Sequence, residues 1–165
     1  MAVASTYSTE ATNHKSVENT KNPTTATEGT LKCSSATISV AAADDDGSKY
    51  FILPVHSSWS IKHIWTRCDA ITSGTVFDVG LYTTAATPVV VDADCYATNV
   101  DLSTAITTLP IDVAFEARNI TDVNDKVWED AGLTAESNTW YWLTFTGDTV
   151  GSAQGDITVT VHYTE

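Results

Sequence analysis

Basic side chains are scarce. Eight Lys and Arg stand against 21 Asp and Glu, a net charge of −13 over 165 residues. That balance excludes an extended phosphate-neutralising surface for nucleic acid and docking on an anionic membrane. Cysteine is also sparse, and odd in number: Cys33, Cys68 and Cys95 show no CxxC spacing. A zinc ribbon and an evenly paired disulfide framework are therefore excluded, and the three read as small buried residues of a reducing compartment. Long apolar runs are missing. No stretch approaches the ~20 residues of a membrane span, and residues 1–30 lack the apolar segment of a secretory signal. Helix formers are few, with a single Met.

Chemical signatures are missing as well. His14, His56, His63 and His162 have no ligand spacing, and there is no Gly-x-Gly-x-x-Gly, Walker loop or Gly-x-Ser-x-Gly elbow. The expectation is a non-enzyme with no catalytic residue, cofactor or metal. Asp44-Asp45-Asp46, Asp92-x-Asp94 and Asp122-x-Asn124-Asp125 read as turn and loop residues, since the last lacks the Gly and distal Glu of a calcium loop. Asn119-Ile120-Thr121 matches a glycosylation sequon by chance.

What is present is strand material. Five Trp, six Tyr and four Phe accompany frequent Val, Ile and Thr, the side chains that suit a pleated surface. A single domain of this length buries roughly 68–70% of its unfolded surface and needs no staple. Residues 1–29 are an exception. They are Ser, Thr, Asn, Glu and Ala with few large apolar groups, and read as an extended or disordered N-terminal arm. The arm is read either as a loose terminus or as a segment that becomes ordered by lying along a neighbouring subunit, with Tyr7, Val17 and Pro23 as its candidate contacts.

Residues 30–165 form the domain. Strands are expected over 31–40, 49–55, 59–67, 88–97, 111–115, 138–147 and 155–163, with a turn at Ala43–Ser48. Cys68–Tyr82 reads as two strand segments folded into a hairpin around Gly74, and Gly147–Ala153 as a second hairpin loop. Asp101–Ile106 reads as one helical turn with an Asp cap. Asp122–Leu133 is the helix, ended by Gly132. Trp140 and Trp142, two apart, are expected to pack between sheets. Trp59, Ile61, His63, Trp65 and Arg67 share one face, read either as a docking surface or as inter-sheet core. The sum is an all-β, jelly-roll-like sandwich of about eight strands with one short helix.

Several of these residues form an ordered set: Gly47-Ser48-Lys49-Tyr50, Cys68-Asp69-Ala70-Ile71-Thr72-Ser73-Gly74, Asp78-Val79-Gly80-Leu81-Tyr82-Thr83-Thr84, Val91-Asp92-Ala93-Asp94 and Ser103-Thr104-Ala105. With Lys126–Leu133 and Val159–Tyr163, this set resembles a family of small virion proteins of tailed bacteriophages, the capsid cement or decoration proteins. The resemblance runs from about Gly47 to Tyr163. It implies a jelly-roll-like domain, made in the host cytoplasm, on the outer surface of the virion capsid. Such a domain bridges major capsid protein subunits and associates as a homodimer or homotrimer. No catalytic residue comes with it. The alternative is a carbohydrate-binding β-sandwich of a phage fibre or host-attachment component, which would show exposed, coplanar aromatic rings. A hydrolase, needing a carboxyl of raised pKa in a cleft, is the third option.

Overall fold

Alternation builds the sheets. Along 155–164, Ile157, Val159, Val161 and Tyr163 are buried, while Asp156, Thr158, Thr160 and His162 point the other way. A period of two places one set on the core and the other on the outer face. The computed structural model describes residues 29–71, 75–150 and 154–165. Among them the strands are β1 (Lys32–Val40), β2 (Lys49–His56), β3 (Ser60–Cys68), β4 (Val76–Thr83), β5 (Val90–Asp101), β6 (Ile106–Asp112), β7 (Trp140–Thr149) and β8 (Gly155–Thr164).

Two four-stranded antiparallel sheets result. One, sheet A, has the order β1-β8-β3-β6; the other, sheet B, has the order β2-β7-β4-β5. The pairs β1–β8, β2–β7, β3–β6 and β4–β5 are nested and antiparallel. The chain is thus one long hairpin rolled up into two facing sheets, a jelly roll. Phe77, Leu81, Leu143 and Phe145 of sheet B meet Ile61, Ile64, Ile157 and Val159 of sheet A in the core.

This order corrects both expected hairpins. β3 lies in sheet A and β4 in sheet B, so the segment between them is a corner that changes sheets. Residues 72–74 of that segment lie outside the described residues. The link from β7 to β8 changes sheets in the same way. Gly and Ser permit a corner as readily as a tight turn, and only the pairing partner distinguishes the two. Asp101–Ile106 is not a helical turn either. Asp101 closes β5 and its carboxylate accepts from Ser103 N–H at 2.8 Å, so the cap exists without a helix.

The expected helix over 122–133 is a single turn, α1 (Val127–Asp130), preceded by a 3-10 turn at Ile120–Asp122. Its first N–H groups are claimed by carbonyls of the β2–β3 link: Val127 donates to Trp59 at 2.8 Å and Trp128 to Ser57 at 3.2 Å. Gly132, at φ +67, ends it as expected. Asp130 then points inward. Its carboxylate accepts from the Tyr96 hydroxyl at 3.0 Å and forms an ion pair with the Arg118 guanidinium, Nε 3.0 Å away. The Arg118 guanidinium lies over the Phe115 ring at 4.6 Å and donates to the carbonyls of Ile61 and Asp122. Both ionic side chains are nearly sealed, at 4% and 2% exposure. Burial pushes Asp130 up to about 7, against the opposing pull of Arg118 and the Tyr96 hydroxyl.

Candidate interaction surfaces

A bulge decides where the expected face points. Ile61 sits opposite Tyr163, yet His63 sits opposite His162, so Lys62 is an extra residue in β3. Alternation reverses there. Ile61 is fully buried, and so are Ile64, Thr66 and Cys68, whereas His63, Trp65 and Arg67 are exposed. Trp59 precedes the strand and stacks on Tyr163, ring centroids 3.8 Å apart. The five residues therefore do not share a face: Ile61 is core, Trp59 lies at one end of the sandwich, and the other three line the outer surface of sheet A. Ile61→Ala should cost ~2–5 kcal/mol for the cavity it leaves. Arg67→Ala should stay within ~0.5 kcal/mol. Chemical denaturation of the two variants checks the bulge. Tyr7, Val17 and Pro23 lie outside the described residues.

Sheet A's outer surface is a polar ladder. Ser35 bonds Thr160 and Thr37 bonds Thr158, both at 2.8 Å, and Ser39 donates to Asp156 at 2.5 Å. Beside it, His63 shares a 2.5 Å hydrogen bond with Asp112, and the Trp65 ring lies 4.4 Å from that of His162. Cys33 stands on this outer face opposite His162 and is exposed, so only Cys68 of the three cysteines is fully buried and Cys95 is partly so.

Sheet B's outer surface differs. Tyr141, Leu143 and Phe145 take the inward positions of β7, so Trp140 and Trp142 point outward, contrary to the inter-sheet packing expected of them. The outward set opens with two large rings and continues with Thr144 and Thr146, and the Trp rings hide that polar face. Pro54 and His56 of β2 pair with Trp142 and Trp140. Trp140, 45% exposed, meets the rings of His56 at 5.0 Å and Trp59 at 5.3 Å. Trp142 tilts onto Phe51, which in turn meets the buried Tyr82 edge-on at 5.9 Å.

Asp44, Asp46, Asp69 and Asp156 lie at the end remote from Trp59, while Asp122, Asp125, Asp130 and Glu136 lie near it. Asp46 accepts from Val150 N–H, Asp69 accepts from Asp156 N–H, and Asp44 accepts from Ala41 N–H and the Tyr50 hydroxyl. Asp44 closes its own turn, as expected, whereas Asp46 and Asp69 reach across to distant segments of the chain. Burial and the Asp44 bond push Tyr50 up to about 12. Among the described residues no group of three or more His, Cys, Asp or Glu side chains is arranged to hold a metal ion.

No protein-family model and no curated protein matches the sequence. A solved structure does match the fold: a chain of the cyanophage Pam1 capsid asymmetric unit, 13% identical, with a TM-score of 0.51. The superposition covers 82% of this chain and 85% of that one, so the two are close in length as well as in architecture.

Proposed function

We propose that this chain is a bacteriophage capsid cement protein, a decoration subunit that binds the outside of the assembled head and stabilises contacts between major capsid subunits. The observation that carries the reading is the jelly-roll likeness, over most of both chains, to a chain of similar length in a capsid asymmetric unit. The family resemblance of the Asp69–Tyr82 region points the same way. The role is non-catalytic: added buried area across subunit junctions resists internal pressure without any covalent step. A dimer or trimer touching several shell subunits multiplies a weak contact through effective concentration. Net charge of −13 favours the outer surface over the face that meets packaged DNA.

One finding favours the carbohydrate-binding alternative, namely the outward placement of Trp140 and Trp142. Their surroundings do not form a flat platform, however. Trp140 crosses Trp59 at 83° and His56 at 76°. Co-sedimentation with heads that lack the protein tests the proposal. Saturable binding at a fixed ratio to the shell subunit is expected, and absence of binding overturns the reading, with glycan binding as the sign of the alternative.

A further inference from the structure

We infer that β1 is a pairing edge, to which a second copy of this chain adds its own β1 antiparallel about a two-fold axis beside Ala36. The pairing joins two A sheets into one of eight strands and makes the protein a symmetric dimer. It stands independently of the cement reading.

Among the described residues the sheet edges are β1, β6, β2 and β5. Three of them carry features that block strand addition. β2 holds Pro54 and a register shift after Phe51. β6 holds Pro110 and faces a shift between Thr66 and Cys68. β5 has three shifts and the carboxylates Asp92, Asp94 and Asp101. β1 has none of these. It runs nine residues against β8 without a shift, and no Pro or charged residue lies between Cys33 and Val40. An edge strand turns a row of backbone N–H and C=O groups away from its neighbour, and the group that matches such a row is another strand. The core also thins there. Ile157, Val159 and Val161 of β8 are sealed, whereas Ala36 and Ile38 of β1 are only partly buried.

Charge and side-chain pattern favour a second copy as the occupant. β1 carries its one charge, Lys32, at its start, and the acidic turn Asp44-Asp45-Asp46 follows its end. Antiparallel pairing sets each lysine beside the other copy's acidic turn; parallel pairing would set like beside like. With Lys32 opposite Val40, the whole strand overlaps and each Ser35 faces Thr37 of the second copy. That repeats the Ser35–Thr160 and Thr37–Thr158 hydroxyl pairs, both at 2.8 Å, already present on this face. A slip of one residue would set outer side chains against inner ones.

Sedimentation of the full-length chain under reducing conditions, without heads, tests the pairing. The parent should have twice the chain mass. Ser35→Glu combined with Thr37→Glu sets carboxylates opposite each other twice and should weaken the dimer at least ~10-fold. Thr107→Glu combined with Thr108→Glu adds the same charge at exposed positions of β6 and should leave the dimer within about twofold of the parent. Each variant is first shown to melt like the parent. Register has its own readout. Cys33 faces position 39 of the second copy, so Ser39→Cys should oxidise to a covalent dimer where the parent does not. A monomeric parent, equal weakening by the two charge variants, or no cross-link in Ser39→Cys overturns the pairing. Head binding is read separately, so the cement reading stands or falls on its own.

Discussion

Gly80→Ala is expected to destabilise the domain by at least ~3 kcal/mol, although it adds a single methyl group to a strand. The reason lies in β5. Val79 faces Ala97 while Leu81 faces Asp92, so five residues of β5 advance against two of β4. The surplus folds over the outer side of Gly80. A Cβ there would stand 2.2 Å from the Ala93 carbonyl carbon and 2.2 Å from the Asp92 carbonyl oxygen. These are backbone atoms, so no rotamer relieves the clash, and the bulge must move. Gly132 provides the contrast: its φ of +67 disfavours a side chain, but a Cβ there meets nothing within 4 Å. Gly132→Ala should cost only the ~1–2 kcal/mol of a left-handed backbone. For a domain of this size the Gly80 variant should lose at least ~6 °C of melting temperature by calorimetry. A loss smaller than that of Gly132→Ala would show that the bulge is not the constraint.

Asp130→Ala should be the second severe change, at ~3–5 kcal/mol, because it leaves the buried Arg118 guanidinium without a counter-charge. A guanidinium does not shed its proton. The converse variant, Arg118→Met, should cost distinctly less, since Asp130 is already pushed up to about 7 and becomes neutral readily. The same displacement sets a pH dependence. Because the folded pKa is raised above the ordinary 3.8, the native state holds this proton more tightly than the unfolded chain does. Its contribution is fully present below about pH 4 and is lost as pH rises through about 7. Denaturation midpoints between pH 4.5 and 8 should therefore fall less steeply for Asp130→Asn than for the parent. Equal slopes would place the carboxyl in its ionised form throughout.

Strand positions were legible, except for β6 (Ile106–Asp112, expected over 111–115), because period-two alternation and burial express the same physics. Phe77, Val79 and Leu81 alternate in the sequence and face the core in the fold. Pairing was not legible. The corners after Cys68 and after Thr149 carry the Gly and Ser of hairpins, and nothing local reports that the next strand joins the other sheet. Bulges defeated the reading of faces. One inserted residue, Lys62, moved Ile61 inward and left His63 and Trp65 outside. Along β7 the outward set opens with Trp140 and Trp142 but continues with Thr144 and Thr146, so the two Trp rings hid a polar face, and the inward set pairs with Val79 and Leu81 of β4. The Arg118–Asp130 pair left almost no trace, being twelve residues apart across a 3-10 turn. A charged residue three beyond Phe115, in a segment otherwise poor in basic groups, was the single weak hint.

The nested pairing also imposes an order on assembly. Only β4 and β5 are joined by a short link within one sheet. Each successive pair encloses the one before, until β8 slots between β1 and β3. Loop-closure entropy makes the inner pair the least costly to form first, and each closure brings the next pair within short range. β1 is then the last strand to be secured, held on one side by β8 alone, with Thr37 meeting Thr158 across 121 residues of chain. The strand that leads back to residues 1–28 is thus the outermost turn of the roll. A force applied through β1 would be felt first at the seam that closed last, sparing the β4–β5 centre.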